Sequence, residues 1–378
     1  MIPTEEQIMI RNMARAFAVE QIAPYAAEWE DKAYFPREVF TAMGKLGLMG
    51  MTVPEEWGGA GLDYVTYAMA LEEIAAGDGA VAVVMSGHNS VGCMPILEFG
   101  SPAQKERYLR ALAQGEILCA FALTEAKGGS DAGALTTRAV RNGDSYVING
   151  SKQFITTGKN AELTLVFAVT DPEQGKRGIS AFIVPTDTPG YEVVRLEAKM
   201  GLNASDTAQL AFEDMRVPLD AMLGAEGQGY RIALGNLEGG RIGIAAQALG
   251  MARAAYEVAL AYAQEREAFG KPIFEHQAVA FRLADMATQL AAARQLIWHA
   301  AALRSAGQKC LTEASMAKLF ATDMAEKVCS DAMQTLGGYG FLRDFPVERY
   351  YRGVRGARIY EGTNDIQKLV IARDLVAG

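Results

Sequence analysis

The sequence predicts a mainly helical α+β protein: helices, then a small β domain, then helices again. Three observations carry that prediction. Apolar residues recur at helical spacing from residue 4 to about 120, and again from 231 nearly to the end. Between about 117 and 230 the period falls towards two, and Asn142-Gly143-Asp144 stands between alternating stretches as a hairpin signal. Half of the 378 residues are hydrophobic but only 8% are aromatic, and 17 are Met, which suits packed helices with adaptable gap-fillers. The implied domains are 1–120, 121–230 and 231–378, with no repeat or low-complexity linker between them.

Each element has a local reason. Thr4 with Gln7 is a capping box ahead of Ile8, Met13 and Phe17. Pro36 opens a second helix that ends near Gly47, and a Gly-rich loop covers 53–63. Helices follow at 63–76, around 80–98 and at 102–113, the last one signalled by Ser101-Pro102. Strands are expected at 163–169, 179–184, 191–196 and 208–214. No helix of useful length separates them, so an antiparallel barrel or sandwich is expected. Beyond GAEGQGY (224–230), windows 231–264, 275–306 and 312–336 read as three long helices of a bundle, with a short C-terminal helix.

Several functions are disfavoured. A net charge of −9 argues against nucleic acid as a partner. Cys93, Cys119, Cys310 and Cys329 form no CxxC pair and read as reduced. The three histidines have no ligand spacing, so no metal site is expected. The hydropathy pattern is read as holding no membrane-spanning run of about 18 residues. No basic or Arg/Ser-rich targeting pattern is evident at the start, so a cytoplasmic location is expected. Gly227-Gln-Gly229 and Gly338-Tyr-Gly340 lack the third glycine of a dinucleotide loop, and no G-x4-G-K occurs. Gly128-Gly-Ser130-Asp-Ala132 lacks the last glycine of a nucleophile elbow.

Three polar segments remain. In 121–134, the amides of Gly128, Gly129 and Ser130 with the Thr124 and Ser130 hydroxyls form either an anion-binding nest or a plain loop. In 334–367, Gly337 and Gly338 end a helix, and Arg349, Arg352, Arg355 and Arg358 crowd the approach to Glu361. Glu361-Gly362-Thr363 precedes a helix in which Asn364 and Gln367 look like a cap pair. Glu361 then either complements that helix's dipole or serves as a base on a Gly-hinged turn. In 265–277, Arg266 and Phe269 either contact a ligand or sit on a surface turn.

Taken together, the sequence resembles the acyl-CoA dehydrogenase family, short-chain and isobutyryl-type members most. The resemblance rests on Leu123–Asp131 (L-T-E-x-x-G-G-S-D), Gln334–Phe341 (Q-x-x-G-G-x-G-F) and Ile359–Asn364 (I-Y-E-G-T-N). AEWEDKAYFP, EAFGKPIFEHQ and SMAKLFATD also look like family text. It implies a helical N-terminal domain, a central β domain and a C-terminal four-helix bundle. It also implies FAD held without a Rossmann unit, a homotetramer built as a dimer of dimers, and electron-transfer flavoprotein as acceptor of the electrons taken from an acyl-CoA substrate.

Residue by residue, the resemblance puts Phe121, Leu123, Thr124, Gly129 and Ser130 along the flavin, with Ser130 also near the acyl-CoA. Phe154, Ile155 and Thr156 match the segment beside the flavin ring, Thr156 as the donor to N5. Arg266, Phe269, Gln277, Gln334, Gly337 and Gly338 match positions that reach FAD from a neighbouring subunit. Thr363 and Asp365 match adenine-dinucleotide contacts. Glu238, Arg241, Tyr360 and Gly362 match substrate contacts, the last two on either side of the base, Glu361. Relatives of the isovaleryl type carry the base at the position of Gly240 instead. Departures are Ala126-Lys127 in the first signature and Gly353, where an acidic residue is usual. The 237–245 and 88–95 segments look like those of short-chain and isobutyryl-type members, so a short straight or branched acyl-CoA is expected. The alternatives are an oxidase-like flavoenzyme that uses oxygen, and a non-catalytic scaffold of the same fold.

Overall fold

Local capping rules fix many of the helix starts. In the computed structural model, which describes residues 1–377, Thr4 accepts from the Gln7 N–H while the Gln7 side chain accepts from the Thr4 N–H, opening Glu5–Phe17. Ser101 and Gln104 make the same box at Pro102. Asp63 caps Tyr64–Gly77 through the Thr66 N–H, and Asp78 accepts from Ala80 and Val81 to open the next helix.

That next segment corrects an expectation. Gly79–Phe99 is one run of 21 residues, long and apolar enough to cross a membrane, yet 83% of its apolar window is buried inside the protein. Its apolar surface is covered by Tyr64–Gly77 and by the long helix Leu237–Glu265. A helix that is hydrophobic all round is what the centre of a large helical domain requires.

The sheet contains β1 (Cys119–Ala122), β2 (Arg138–Asn142), β3 (Ser145–Thr156), β4 (Leu163–Val169), β5 (Ile179–Pro185), β6 (Tyr191–Leu196), β7 (Thr207–Pro218) and β8 (Met222–Leu223). Its order is β6-β7-β3-β2-β4-β5-β8, with β1 added on β4. The expected antiparallel barrel or sandwich is therefore corrected to a mixed sheet. β1 runs parallel to β4, β2 meets β4 in parallel at Arg138 and Val169, and no closed barrel is seen among the described residues. The 123–137 loop and the β2–β3 hairpin separate β1 from β4, a connection long enough for a parallel crossover. β4 is buried at every position, as a strand covered on both faces should be. The hairpin turn itself is as expected: Asn142 pairs with Ser145 across Gly143-Asp144, and Gly143 has a φ of 64°.

After residue 236 the long helices are Leu237–Glu265, Gln277–Ser305 and Leu311–Leu336. Two shorter ones, Val347–Ala357 and Asn364–Ala377, both pack on Leu311–Leu336. Among the described residues five α-helices thus follow Asn236, where a bundle of four was expected. The N-terminal helices are tied to them by charge. Arg253 reaches the buried carboxylates of both Glu72 and Glu73, while Arg15 pairs with Glu73 and Arg294 with Glu72.

Candidate active site

The turn carrying Glu361 is strained and tightly held. Ile359 and Tyr360 close the preceding helix by donating to the Gly356 carbonyl. The chain then passes through Glu361 at φ 52° and Gly362 at φ 88°. Left-handed backbone at a non-glycine residue costs about 1–3 kcal/mol and persists only where the surroundings enforce it. Gln367 Nε2 donates to the carbonyls of Glu361 (3.3 Å) and Gly362 (2.8 Å). Lys318 Nζ donates to the Gly362 carbonyl (2.9 Å) and to Asn364 Oδ1 (3.0 Å). The expected Asn364–Gln367 cap pair is thus corrected: Asn364 also bonds Thr322 and Asp323, and Gln367 anchors the turn. Thr363 Oγ1 takes the capping role, accepting from the Ile366 N–H at 3.4 Å.

Glu361 Oε2 is shielded from solvent and has no hydrogen-bond partner among the described residues. It fits because residue 240 is glycine: a Cβ there would lie 1.9 Å from Oε2. Along the same helix, Gln247 accepts from the Tyr360 hydroxyl (2.9 Å) and donates to the Gly79 carbonyl (2.7 Å). At Gly243, one turn from Gly240, a Cβ would meet Ser86 Oγ at 2.2 Å and the Tyr67 hydroxyl at 2.7 Å. Burial pushes the Glu361 carboxyl up to about 7, against the opposing charges of Lys318 and Arg241. Arg241 is itself buried and donates to Ser315 Oγ at 3.1 Å, and its Nε has no partner among the described residues.

The four arginines expected around Glu361 have their side chains engaged by other partners. Arg349 covers the Tyr350 ring, and Arg352 pairs with Glu30 and Glu348. Arg355 and Arg358 pair with Glu326, and Arg358 also with Asp323. Arg352, Arg355 and Arg358 are thus held by surface or inter-helix carboxylates, and Arg349 by an aromatic ring. Glycine at 353 is also structural, since a Cβ would come within 3.1 Å of Leu202 and Met251.

A second cluster forms where β1 leaves the sheet. Phe121 packs on Phe167 with ring centres 4.7 Å apart, and Leu123 is buried. The Thr124 carbonyl accepts from the Gln153 N–H at 2.9 Å. The Gly128 N–H is spent on the Glu125 carbonyl, so the expected nest loses one donor, while Gly129 and Ser130 are exposed. The loop is pinned by an ion pair not singled out from the sequence. Lys152 Nζ donates to Glu125 Oε1 (2.8 Å) and to the Leu123 carbonyl (3.1 Å). Glu125 also accepts from the Thr136 and Thr137 N–H groups and the Thr136 hydroxyl. Burial pushes its carboxyl up, but Lys152 and these donors overcome that and hold it down at about 2. Lys152 lies on the inward parity of β3 with Tyr146 and Ile148, a readable signal.

Beyond Lys152 the β3–β7 register slips before Ile155, and Phe154 takes a φ of 60° with 62% of its surface exposed. A bulge of this kind re-aims a side chain next to a functional site. Ile155 returns to the core, and Thr156 is half-buried at the strand end. Lys152→Met strands the Glu125 carboxylate in the interior, so about 3 kcal/mol of stability should be lost. Calorimetry should show the lower Tm, and the purified protein should lose part of its yellow colour as the 121–130 loop loosens.

The third cluster lies at helix ends. Arg266 lines a cavity of about 530 Å³ with Gly337 and Gly338. Gly337, at φ 61°, ends Leu311–Leu336, where Gln334 is exposed. Phe269 sits at the tip of a small hairpin with φ 54° and 96% exposure, and Gln277 is exposed at the start of its helix. Glu238 pairs with Arg304 at 3.0 Å and accepts from Cys310 Sγ at 3.6 Å. Asp365 is exposed beside Thr363, and Lys368 Nζ lies 3.8 Å from it.

These donors suit a large anionic flavin cofactor. Hydroxyls and exposed backbone gather on the 121–130 loop, and an exposed cavity carries Arg266 and two glycines. Three of the non-glycine residues held at positive φ are Phe154, Phe269 and Glu361, the kind of strain that concentrates at functional sites. Comparison with known proteins agrees. Family profiles for the acyl-CoA dehydrogenase N-terminal, middle and C-terminal domains match residues 4–116, 120–215 and 227–376. An acyl-CoA dehydrogenase of Bacillus subtilis is 52% identical over 375 residues, 99% of each chain. The mitochondrial short-chain specific acyl-CoA dehydrogenase of Rattus norvegicus is 46% identical, covering 98% of this chain and 90% of its own. Among solved structures, butyryl-CoA dehydrogenase from Megasphaera elsdenii superimposes with a TM-score of 0.98 at 41% identity, covering 100% and 99% of the two chains. A chain solved in work on the electron transferring flavoprotein of Acidaminococcus fermentans reaches 0.99 at 46% identity, covering both chains in full. A glutaryl-CoA dehydrogenase from Mycobacterium smegmatis, in complex with FADH2, reaches 0.95 at 32% identity, covering 100% and 96%. With three domain profiles in order along its length and a relative that shares half its residues, the chain belongs to the acyl-CoA dehydrogenase family of FAD-dependent oxidoreductases.

Proposed function

We propose that the protein removes the α- and β-hydrogens of a short straight or branched acyl-CoA thioester, giving the trans-2-enoyl-CoA, with Glu361 as the base for the α-proton. The observation that carries this reading is the buried, unpartnered Oε2 of Glu361 on a rigid turn, with its carboxyl raised to about 7. A thioester α-proton is weakly acidic, so its acceptor must be dry, fixed and close to half-ionised at working pH. The Glu361 N–H makes no hydrogen bond among the described residues and is available to the thioester carbonyl as enolate charge develops. FAD, when bound, supplies the acceptor for the hydride leaving the β-carbon. The residues to hold it are those of 121–130 and 154–156, with Thr363 and Asp365.

Arg266, Phe269, Gln277, Gln334, Gly337 and Gly338 would complete a neighbour's flavin site in a homotetramer. The exposure of Phe269 on a strained hairpin tip supports that assembly. Electron-transfer flavoprotein is the proposed acceptor, and the cytoplasm the proposed location. The short-chain reading draws on the likeness to short-chain and butyryl-CoA relatives, and on the close approach of Tyr67 and Ser86 to Gly243 near the base.

The test is anaerobic bleaching of the bound flavin by a panel of acyl-CoA chain lengths. Butyryl- or isobutyryl-CoA should bleach at least about tenfold faster than octanoyl-CoA, the discrimination that a few methylenes in a closed pocket supply. An optimum at octanoyl or beyond overturns the short-chain assignment, and no bleaching with any thioester overturns the activity. Reoxidation by a flavoprotein acceptor should outpace reoxidation by oxygen.

A further inference from the structure

We propose that Lys318 is the positioning residue of the base: it clamps the Gly362 carbonyl to aim the Glu361 carboxylate, and its charge favours the ionised form that accepts the proton. The proposal rests on Glu361 being the base. Lys318 belongs to the SMAKLFATD segment, in the middle of Leu311–Leu336, and is fully buried. A buried ammonium is retained only where its surroundings compensate it. The other fully buried lysine, Lys152, meets a carboxylate at 2.8 Å. Lys318 meets only two neutral oxygens, the Gly362 carbonyl and the Asn364 amide, both on the segment that carries Glu361. Burial lowers its own proton affinity to about 8, and Glu361 is the foremost charge that opposes this.

The other groups around the turn leave this role to Lys318. Arg241, from Leu237–Glu265, is the second cation acting on Glu361, but its bond goes to Ser315 rather than to the turn. Asp323, on the Lys318 helix, and Arg358, just before the turn, pair with each other at 2.8 Å. Tyr67, from Tyr64–Gly77, donates to Ser86, and Tyr360 donates to Gln247; burial raises both phenols, which stay neutral. Among the described residues Asp323 is the other carboxylate that acts on Lys318, and it is engaged by Arg358, which leaves Glu361 as the foremost balancing charge. Gln367 independently holds both turn carbonyls, so the turn should survive loss of the lysine.

The experiment compares the FAD-loaded wild type with Lys318→Met, which removes donor and charge, and Lys318→Gln, which keeps a donor without charge. Two rates are measured from pH 5.5 to 9.5: flavin reduction by butyryl-CoA, and exchange of the butyryl α-protons for deuterium in D2O. In both variants the acidic limb of both rates should move up by about one pH unit, as loss of an opposite charge nearby requires. Lys318→Gln should recover most of the high-pH plateau that Lys318→Met loses by about tenfold or more. An unshifted limb, with rates equally lowered at every pH or unchanged, overturns the proposal, as does loss of FAD without a pH shift. Glu361→Gln run alongside separates the two readings. If it exchanges α-protons normally, the base assignment has failed. If it is inert while the Lys318 limb stays put, only the role of Lys318 has failed.

Discussion

Glu361→Gln is expected to bind FAD and acyl-CoA while slowing anaerobic flavin reduction by about 10⁴-fold, the upper range for loss of a positioned general base. The amide has the shape of the carboxyl it replaces, so the strained turn and its anchors from Lys318 and Gln367 remain. Only the proton acceptor is gone. In the wild type the rate should rise about tenfold per pH unit up to about 7, where the buried carboxyl ionises, and then level off. The variant's residual rate should be flat through that range. The same substitution has a stability consequence whose sign is fixed. The folded protein holds this carboxyl at about 7 against an ordinary 4.5, so its favourable contribution is full below 4.5 and is lost as the pH rises to 7. Above 7 the fold carries a buried carboxylate at a cost of about 3 kcal/mol, which glutamine removes. Calorimetry should therefore find the variant melting higher than wild type at pH 8 and equal to it near pH 4.5. Flavin reduction within tenfold of wild type would refute Glu361 as the base.

Features decided by neighbours in the chain were legible in the sequence; features decided by the path of the chain were not. The Thr4–Gln7 box, the Ser101-Pro102 start and the Gly143-Asp144 turn each depend on a few consecutive residues, and each stands where the pattern put it. The parallel pairing of β1 with β4 depends on how a long loop travels, and alternation along a strand carries no record of its partner's direction. Charge went wrong for the same reason. Arg352 is nine residues from Glu361 in sequence, but it bonds Glu30, 322 residues away. Lys318, 43 residues upstream of Glu361, reaches the turn because two helices pack, and nothing in the helical period reveals that. The run from Gly79 to Phe99 shows the limit of hydropathy: its composition is equally right for a membrane and for the centre of this protein. The Glu361 turn was legible as a carboxylate and a glycine ahead of a helix start, while the choice between dipole complement and base came from the family resemblance and not from those residues.

Gly240→Ala is expected to remove most of the activity without harming the fold. On the structure as it stands, the new methyl carbon would be 1.9 Å from Glu361 Oε2, 2.9 Å from Cδ and 3.3 Å from Oε1. No carbon and oxygen tolerate the first of these distances, so the carboxylate must swing away by an ångström or more. It is the free end of a flexible side chain, which makes the movement cheap in stability. Alanine also favours the interior of Leu237–Glu265 by about 1 kcal/mol over glycine. The melting temperature should therefore hold or rise. Catalysis has no such latitude, because displacement of a reacting group by about 1 Å costs on the order of 10²-fold. The kcat for butyryl-CoA should fall by about that factor with FAD content unchanged. Gly235→Ala is the matched control: nothing lies within 4 Å of its Cβ position, and its kcat should stay at the wild-type value. If Gly240→Ala also kept full activity, the carboxylate would have a second productive position, and glycine at 240 would not be what makes room for the base. If it lost activity and stability together, the methyl would have displaced backbone rather than the carboxylate, against the distances above.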